Sequence, residues 1–172
     1  NGKTIPLAGY QFSPDESKVI VSLESDQIYR HSAKAFHFIY DIKAKKVIEL
    51  SANGKQMFPA FSPDCRKVAF VRDNNLFIKN LESGEETQVT TDGGHNKIKN
   101  AWADWVYEEE FSKPDYFCWN KDGKSLAYVK FDETNVKEYS MDLYNGNLYP
   151  DKETFKYPKA GEDNSIVSVH VY

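Results

Sequence analysis

The chain has 172 residues, 40% of them hydrophobic and 28% charged, and its formal net charge is −4. That length and composition fit a single soluble globular domain with its own hydrophobic core. The negative charge weighs against a nucleic-acid partner, because phosphate binding requires a basic face. No apolar run approaches the roughly 18 residues of a membrane-spanning helix. Aromatic residues make up 15% of the chain, which favours β structure.

A recurring turn pattern organises the predicted elements. Each copy has an aromatic residue, a turn centred on an aspartate and a short apolar strand, and the copies begin at Phe12, Phe61 and Trp119. Proline fixes φ in the first two turns, and Gly123 accepts positive φ in the third. The copies are 49 and 58 residues apart. In chain order, the predicted strands after the three turns are 19–23, 35–42 and 46–50; then 68–71, 76–81 and 87–90; and finally 126–131, 138–144 and 154–157.

These elements predict an all-β fold, a partial β-propeller. With the strand that leads into each turn, about four antiparallel strands recur every ~50 residues, which is typical of a propeller blade. We predict about three four-stranded antiparallel blades over 9–56, 57–100 and 116–160, a helical insertion over 101–115, and the start of a further blade over 166–172. A β-sandwich competes, but it gives no reason for one turn motif to recur. Closed propellers have about 4–8 blades, so we expect this chain to be a segment of a longer protein.

Three successive glutamates, Glu108, Glu109 and Glu110, lie in the predicted helical insertion. Four aromatic residues flank them: Trp102, Trp105, Tyr107 and Phe111. A bare glutamate triplet is ordinarily a solvated acidic turn, but aromatic neighbours would hold the carboxylates in place. Two adjacent carboxylates suit an ammonium ligand, which has three hydrogen-bond donors. Because successive helical side chains are about 100° apart, the binding pair is either Glu108 with Glu109 or Glu109 with Glu110.

The second irregular segment, 28–32, is a hairpin-like connection that contains Arg30. Its plain interpretation is an exposed loop arginine, and its functional interpretation is a planar donor that binds a carbonyl or carboxylate group. The four histidines lack metal-binding spacing, and Cys65 and Cys118 are interpreted as free thiols. No Gly-x-Ser-x-Gly nucleophile motif occurs. We therefore predict no metal, no cofactor and no catalytic nucleophile in this chain.

Several of these segments resemble one known family. The stretch 104–111 reads Asp-Trp-Val-Tyr-Glu-Glu-Glu-Phe and resembles the glutamate motif of the dipeptidyl peptidase IV family of serine peptidases. The segment 29–32 resembles that family's arginine loop, and 126–134, 138–140 and 157–161 match further stretches in the family's order. The resemblance implies an eight-bladed N-terminal β-propeller stacked on an α/β-hydrolase domain. The catalytic serine, aspartate and histidine would lie in that domain, outside this chain.

The resemblance also implies roles for individual side chains. The family's second and third glutamates bind the α-ammonium group of the substrate, which gives that role to Glu109 and Glu110. We therefore expect Glu108→Ala to lower activity less than substitution of either of them. The family's arginine binds the carbonyl of the substrate's second residue, which points to Arg30. The implied longer protein is an exported serine exopeptidase, periplasmic or membrane-anchored. It would release N-terminal dipeptides with proline or alanine at the second position.

The expected partners are peptides with a free N-terminus and the hydrolase domain of the same chain, and the sequence leaves open whether the longer protein is a homodimer. A competing hypothesis is a non-enzymatic propeller of the TolB type that acts as a binding or scaffold module. It accounts for the repeats but not for the glutamate triplet or Arg30. Because the strand over 166–172 is expected to lack a sheet partner within its own blade, we predict that the chain alone forms an open arc of blades and self-associates. The alternative is that this strand folds back onto a local sheet edge, which would leave a soluble monomer.

Overall fold

A computed structural model describes residues 4–172, and its regular structure is almost entirely β. The strands are β1 (Gly9–Phe12), β2 (Lys18–Gln27), β3 (Ala33–Asp41), β4 (Lys46–Glu49), β5 (Met57–Phe61), β6 (Lys67–Arg72), β7 (Asn75–Asn80), β8 (Glu86–Gln88), β9 (Ile98–Asn100), β10 (Phe117–Trp119), β11 (Leu126–Asp132), β12 (Glu138–Leu143), β13 (Asp151–Lys156) and β14 (Ile166–Val171). The helix α1 spans Trp105–Phe111. Across the described range, no helix combines the length and apolarity needed to cross a membrane.

The first two sheets are four-stranded and antiparallel, with their strands in sequence order. The first is β1-β2-β3-β4 and the second is β5-β6-β7-β8. The recurring turn precedes β2 and β6, where Asp15 and Asp64 each accept a hydrogen bond from the serine two residues earlier (2.7 and 2.6 Å). The next residues, Glu16 and Cys65, have left-handed φ values of 57° and 58°. Each turn thus bends the chain sharply enough to pair the strands on either side of it.

The second sheet packs against the first sheet on one face and against the third on the other. On β6, Val68 and Phe70 pack into a cluster with Ile39 of the first sheet. Val71 belongs to a separate cluster that contains Leu126 of β11. All five side chains are fully buried. A strand covered on both faces needs apolar residues at successive positions, which explains the unbroken apolar run in β6.

The third sheet has an interrupted edge, and the interruption positions helix α1. Strand β11 pairs with β14 along one edge. On its other edge, β11 pairs with β10 through Leu126–Tyr128 and with β9 through Lys130–Asp132. The chain leaves the sheet after β9, forms α1 and returns as β10. The helix therefore lies within the predicted insertion 101–115 and is anchored at both ends by the same strand.

The C-terminal third of the chain departs from the predicted third blade. Strand β14 was expected to begin a further blade without a partner over 166–172; that prediction is wrong, because β14 pairs with β11 along its whole length. Strands β12 and β13 were expected within the blade over 116–160, but they form a separate two-stranded hairpin. β12 is exposed at five of its six residues and lacks the apolar face of an inner strand. An alternating pattern predicts a strand without identifying its partner, so sequence order suggested the wrong neighbour.

Candidate functional site

Helix α1 is a short excursion with defined ends. Asp104 caps its N-terminus by accepting a hydrogen bond from the Tyr107 amide (2.8 Å), and Ser112 ends it in the left-handed region at φ 51°. At its base, the Ala101 carbonyl accepts a hydrogen bond from the Tyr116 amide (2.9 Å). A helix of seven residues is marginal by itself. These contacts therefore decide the direction in which each glutamate of the triplet points.

The first glutamate of the triplet points into the protein. Glu108 is 1% exposed, and its Oε1 accepts a hydrogen bond from the His31 amide (2.7 Å). Its Oε2 has no hydrogen-bond partner among residues 4–172. Glu108 is therefore a buried carboxylate that fastens the segment 28–32 to the helix. Its burial removes it from reach of a ligand at the surface.

Arg30 and Glu109 form an ion pair beside this buried contact. Nε of Arg30 lies 2.8 Å from Oε1 and 3.0 Å from Oε2 of Glu109. The arginine side chain is 69% exposed and the glutamate side chain is 28% exposed. The hydrogen bond to Glu109 raises the pKa of Arg30 further above its usual range, so the guanidinium stays charged. In the part of the chain that the structure describes, the Nη groups have no hydrogen-bond acceptor, which leaves their donors available to a ligand.

Glu110 is the outermost member of the triplet. It is exposed, and it forms no ion pair with any residue from 4 to 172. Of the two pairings that the sequence leaves open, Glu109 with Glu110 is the one whose carboxylates both reach the surface. The structure thus brings Arg30 beside one of two adjacent, solvent-accessible carboxylates. Such a site can bind a group that carries both a positive charge and a nearby hydrogen-bond acceptor.

The segment 28–32 is the tip of the β2–β3 hairpin, and hydrogen bonds hold its backbone. The Tyr29 amide donates to Oγ of Ser32 (3.1 Å). The side-chain amide of Gln27 donates to the backbone carbonyls of Tyr29 and Arg30. Arg30 therefore projects from an ordered turn, which reduces the backbone entropy that is lost when its side chain binds a ligand.

A buried charged cluster lies beneath this turn. Nζ of Lys99 lies 3.2 Å from the Tyr29 hydroxyl, 3.5 Å from Oε2 of Glu133 and 4.3 Å from the ring centroid of Trp102. Tyr29 stacks on Trp102, with ring centroids 6.1 Å apart and an interplanar angle of 23°. Lys99 and Glu133 are 3% and 1% exposed. Burial lowers the pKa of Lys99 and raises the pKa values of Glu133 and Tyr29, because it disfavours the charged form of each group.

Three of these residues were not expected to be important. Glu108 was expected to matter less than its neighbours, and neither Lys99 nor Glu133 was predicted to belong to the site. A helical signal for Glu108 was available, because it lies three and four residues after Trp105 and Asp104 and therefore shares their face of α1. No local pattern marks Lys99 or Glu133, since they meet only through the pairing of β9 with β11.

The other sequence candidates lie apart from this site. Cys65 is buried in the second recurring turn, whereas Cys118 is exposed on β10, and neither is in a disulfide. Of the described residues, no three or more His, Cys, Asp or Glu side chains are grouped so that they could hold a metal ion.

Comparison with known proteins places this chain in a family. The family model described as the dipeptidyl peptidase IV (DPP IV) N-terminal region matches residues 13–172. The chain is 33% identical to the probable dipeptidyl-aminopeptidase B of Talaromyces marneffei over 100% of this chain and 21% of that protein. It is 35% identical to the dipeptidyl-aminopeptidase B of Aspergillus niger, again over 100% of this chain and 21% of that protein.

A solved structure is also similar. The crystal structure of Porphyromonas gingivalis dipeptidyl peptidase 4 matches with a TM-score of 0.92 and 47% sequence identity, over 96% of this chain and 24% of that one. This chain thus spans about a fifth of the length of the curated relatives that it matches. The family model covers nearly every described residue, including Arg30 and the glutamate triplet. The chain therefore belongs to the dipeptidyl peptidase IV family, as part of its N-terminal region.

Proposed function

We propose that this chain recognises the free N-terminus of peptide substrates within a serine exopeptidase that releases N-terminal dipeptides. One observation carries the proposal: an exposed guanidinium, that of Arg30, is paired with one of two adjacent surface carboxylates, Glu109 and Glu110. The names of the relatives, dipeptidyl-aminopeptidases, support the activity. A scaffold propeller without enzymatic function has no need of this cluster.

In the proposed complex, Glu109 and Glu110 bind the α-ammonium group of the substrate. An ammonium group has three donors, and charge-assisted hydrogen bonds are about twice as strong as neutral ones. An internal peptide segment has no ammonium group. When it binds, it displaces the water around the two carboxylates but brings no positive charge to replace that hydration. That difference in binding free energy selects chain ends over internal segments.

Arg30 supplies the second contact. Its Nε is occupied by Glu109, whereas its Nη donors are available to a backbone carbonyl of the bound dipeptide. The guanidinium is planar and rigid, so a carbonyl bound there has a defined direction as well as a defined position. The ammonium and the carbonyl together fix the first residues of the substrate in one orientation.

Two fixed contacts at the N-terminus of the substrate determine which peptide bond is cleaved. A nucleophile at a constant distance reaches only the bond that lies two residues along, because the binding energy is used to orient that bond. The proposal also includes features that lie beyond the described residues. These are the nucleophile and its α/β-hydrolase domain, the closure of an eight-bladed ring, the preference for proline or alanine, and export of the protein. We expect the chain alone to hydrolyse nothing, and turnover by the repurified chain would contradict that.

The test is a charge-neutralising series in the full-length peptidase that carries this chain. Glu109→Gln and Glu110→Gln should each lower kcat/KM for a Xaa-Pro amide with a free amino terminus by at least about tenfold, because the ammonium loses one partner. Glu82→Gln is the matched control, because Glu82 also pairs with an exposed arginine, Arg66, on the second sheet (3.6 Å). It should leave kcat/KM unchanged.

A substrate with an acetylated amino terminus separates recognition of the ammonium from other effects of the same substitutions. It should be a poor substrate for the wild type, and neither substitution should impair its hydrolysis much further. If both glutamine variants kept the wild-type kcat/KM on the free-amino substrate, the proposed binding of the ammonium group by Glu109 and Glu110 would be refuted.

A further inference from the structure

We propose that Lys99 is a positioning residue for Arg30. Through the Tyr29 side chain, it keeps the arginine at a fixed distance from the carboxylates of Glu109 and Glu110. The inference rests on the proposed function of Arg30 but concerns a residue that contacts neither substrate nor carboxylate pair. Lys99 lies on β9, at the edge of the third sheet, 70 residues from Tyr29 in sequence. It joins the segment 28–32, here called the arginine turn, to the sheet from which helix α1 emerges.

Arg30 is held from both sides by buried groups. On its N-terminal side, the Tyr29 hydroxyl accepts a hydrogen bond from Nζ of Lys99 (3.2 Å), and the centroid of the Tyr29 ring lies 4.8 Å from the same ammonium. On its C-terminal side, the His31 amide donates to Glu108 (2.7 Å). Both residues adjacent to Arg30 are therefore attached to the body that carries Glu109. The distance between the guanidinium and the carboxylates depends on these two attachments.

Lys99 can fix Tyr29 because its own position is strongly constrained. The ammonium lies against the ring of Trp102 (4.3 Å) and 3.5 Å from Glu133, and both charged side chains are almost fully buried. A buried ammonium must keep its carboxylate and aromatic partners, because any displacement leaves a charge unpaired in a low-dielectric environment. Tyr29 stacks on the same Trp102 ring. One cation thus holds the tyrosine hydroxyl and packs against the surface on which the tyrosine ring rests.

Burial of this pair does not require a role in the site, since an apolar pair can replace a buried ion pair without loss of stability. What an apolar pair cannot do is bond to the tyrosine hydroxyl. The specific contribution of Lys99 is therefore a directed contact to Tyr29. That contribution is measurable separately from folding, because it should vanish when the arginine side chain that it positions is absent.

The experiment is a double-mutant cycle in the full-length peptidase that carries this chain. Lys99→Met combined with Glu133→Gln removes the buried pair without leaving an unpaired charge. We expect this double variant to lower kcat/KM on a free-amino Xaa-Pro amide by about tenfold, and by less than about twofold when Arg30→Ala is already present. Tyr29→Phe keeps the stacked ring and removes only the hydroxyl, so it should show a smaller loss with the same dependence on Arg30. It also provides the test if the double variant does not fold.

Lys67→Met is the matched control. Lys67 also lies over an aromatic ring, that of Trp119 (5.8 Å), and also bonds to a distant segment, but far from the arginine turn in the chain. It should leave kcat/KM unchanged. The positioning role would be overturned if kcat/KM fell equally with and without Arg30, or if neither the Lys99 variant nor the Tyr29 variant lowered it. Either result would leave the proposed binding of the ammonium group by Glu109 and Glu110 untouched. An Arg30→Ala enzyme with wild-type kcat/KM would instead overturn the proposed function, and this inference with it.

Discussion

Removal of the buried Glu108 carboxylate should release the arginine turn. Its Oε1 accepts the His31 amide at 2.7 Å, and the side chain is almost fully buried. A hydrogen bond to a charged group contributes about 1.5–3 kcal/mol. If the turn opens locally to exchange that amide, Glu108→Ala should lower the opening free energy by this amount. At about 1.4 kcal/mol per decade, the His31 amide should exchange roughly 10- to 150-fold faster.

The assay is hydrogen exchange of the segment 28–32, measured together with global stability in urea. Glu108→Gln is the matched variant, because its side-chain carbonyl still accepts the amide. It should lose only the charge-assisted part of the bond, about 1 kcal/mol, and exchange less than about tenfold faster. If His31 exchanges at the wild-type rate in Glu108→Ala, the carboxylate does not hold the turn. Glu108 contacts the arginine turn in the structure, a contact that the resemblance did not predict.

Three further predictions concern the arginine, the recurring turns and a buried histidine. Arg30→Lys in the full-length protein should behave like Arg30→Ala in kcat/KM assays, because a point charge does not replace a planar fork; full activity of the lysine variant would show that charge alone suffices. Gly123 and Glu16 occupy the same turn position, with φ of 67° and 57°. In urea unfolding, Gly123→Ala should therefore destabilise the chain by about 1 kcal/mol and Glu16→Gly should stabilise it by up to about 1 kcal/mol. If both substitutions changed the free energy of unfolding in the same direction, the argument from backbone strain would be refuted. Burial lowers the pKa of His37 from 6.5, so the unfolded state binds a proton that the folded state resists. Stability should fall as the pH decreases below about 6.5, and His37→Gln should flatten that dependence; an unchanged slope would assign it to other groups.

Local chemistry was enough to predict the first two sheets and the two segments that form the candidate site. The strand predicted over 68–71 is Lys67–Arg72 in the structure, and the one predicted over 76–81 is Asn75–Asn80. Turn residues bounded these strands, and apolar runs identified them, so no distant contact was needed. The helical insertion and the arginine turn were predictable for the same reason. Each breaks the repeat within a short window of sequence.

What the sequence could not predict depends on pairing across long separations. Glu108 bonds to a residue 77 positions away, and Lys99 bonds to one 70 positions away. Neither contact has a local signature, because each depends on how the third sheet packs beside the β2–β3 hairpin. The partner of β14 was mispredicted for a related reason. Strand β14 pairs with β11 across the intervening β12–β13 hairpin, and alternation in either strand carries no information about that register.

The correct placement of β14 changes the reason for expecting self-association, but not the expectation. Strand β14 is satisfied on one side by β11, and among residues 4–172 its other edge has no strand partner. Ile166, Val169 and Val171 along it are mostly exposed. An exposed apolar edge strand offers its free backbone donors and acceptors, and its side chains, to the same strand of another copy.

A single charge on this edge should therefore prevent association at little cost to folding. Val169 is 72% exposed, so Val169→Lys removes almost no buried surface, while lysine on an edge strand opposes strand addition. Val47→Lys on β4, an edge strand of the first sheet, is the matched control at 59% exposure. In gel filtration with light scattering, the wild type and the Val47→Lys variant should gain mass with concentration, and Val169→Lys should remain monomeric. A wild-type chain that stays monomeric across the whole range would show that the edge of β14 does not recruit a second copy.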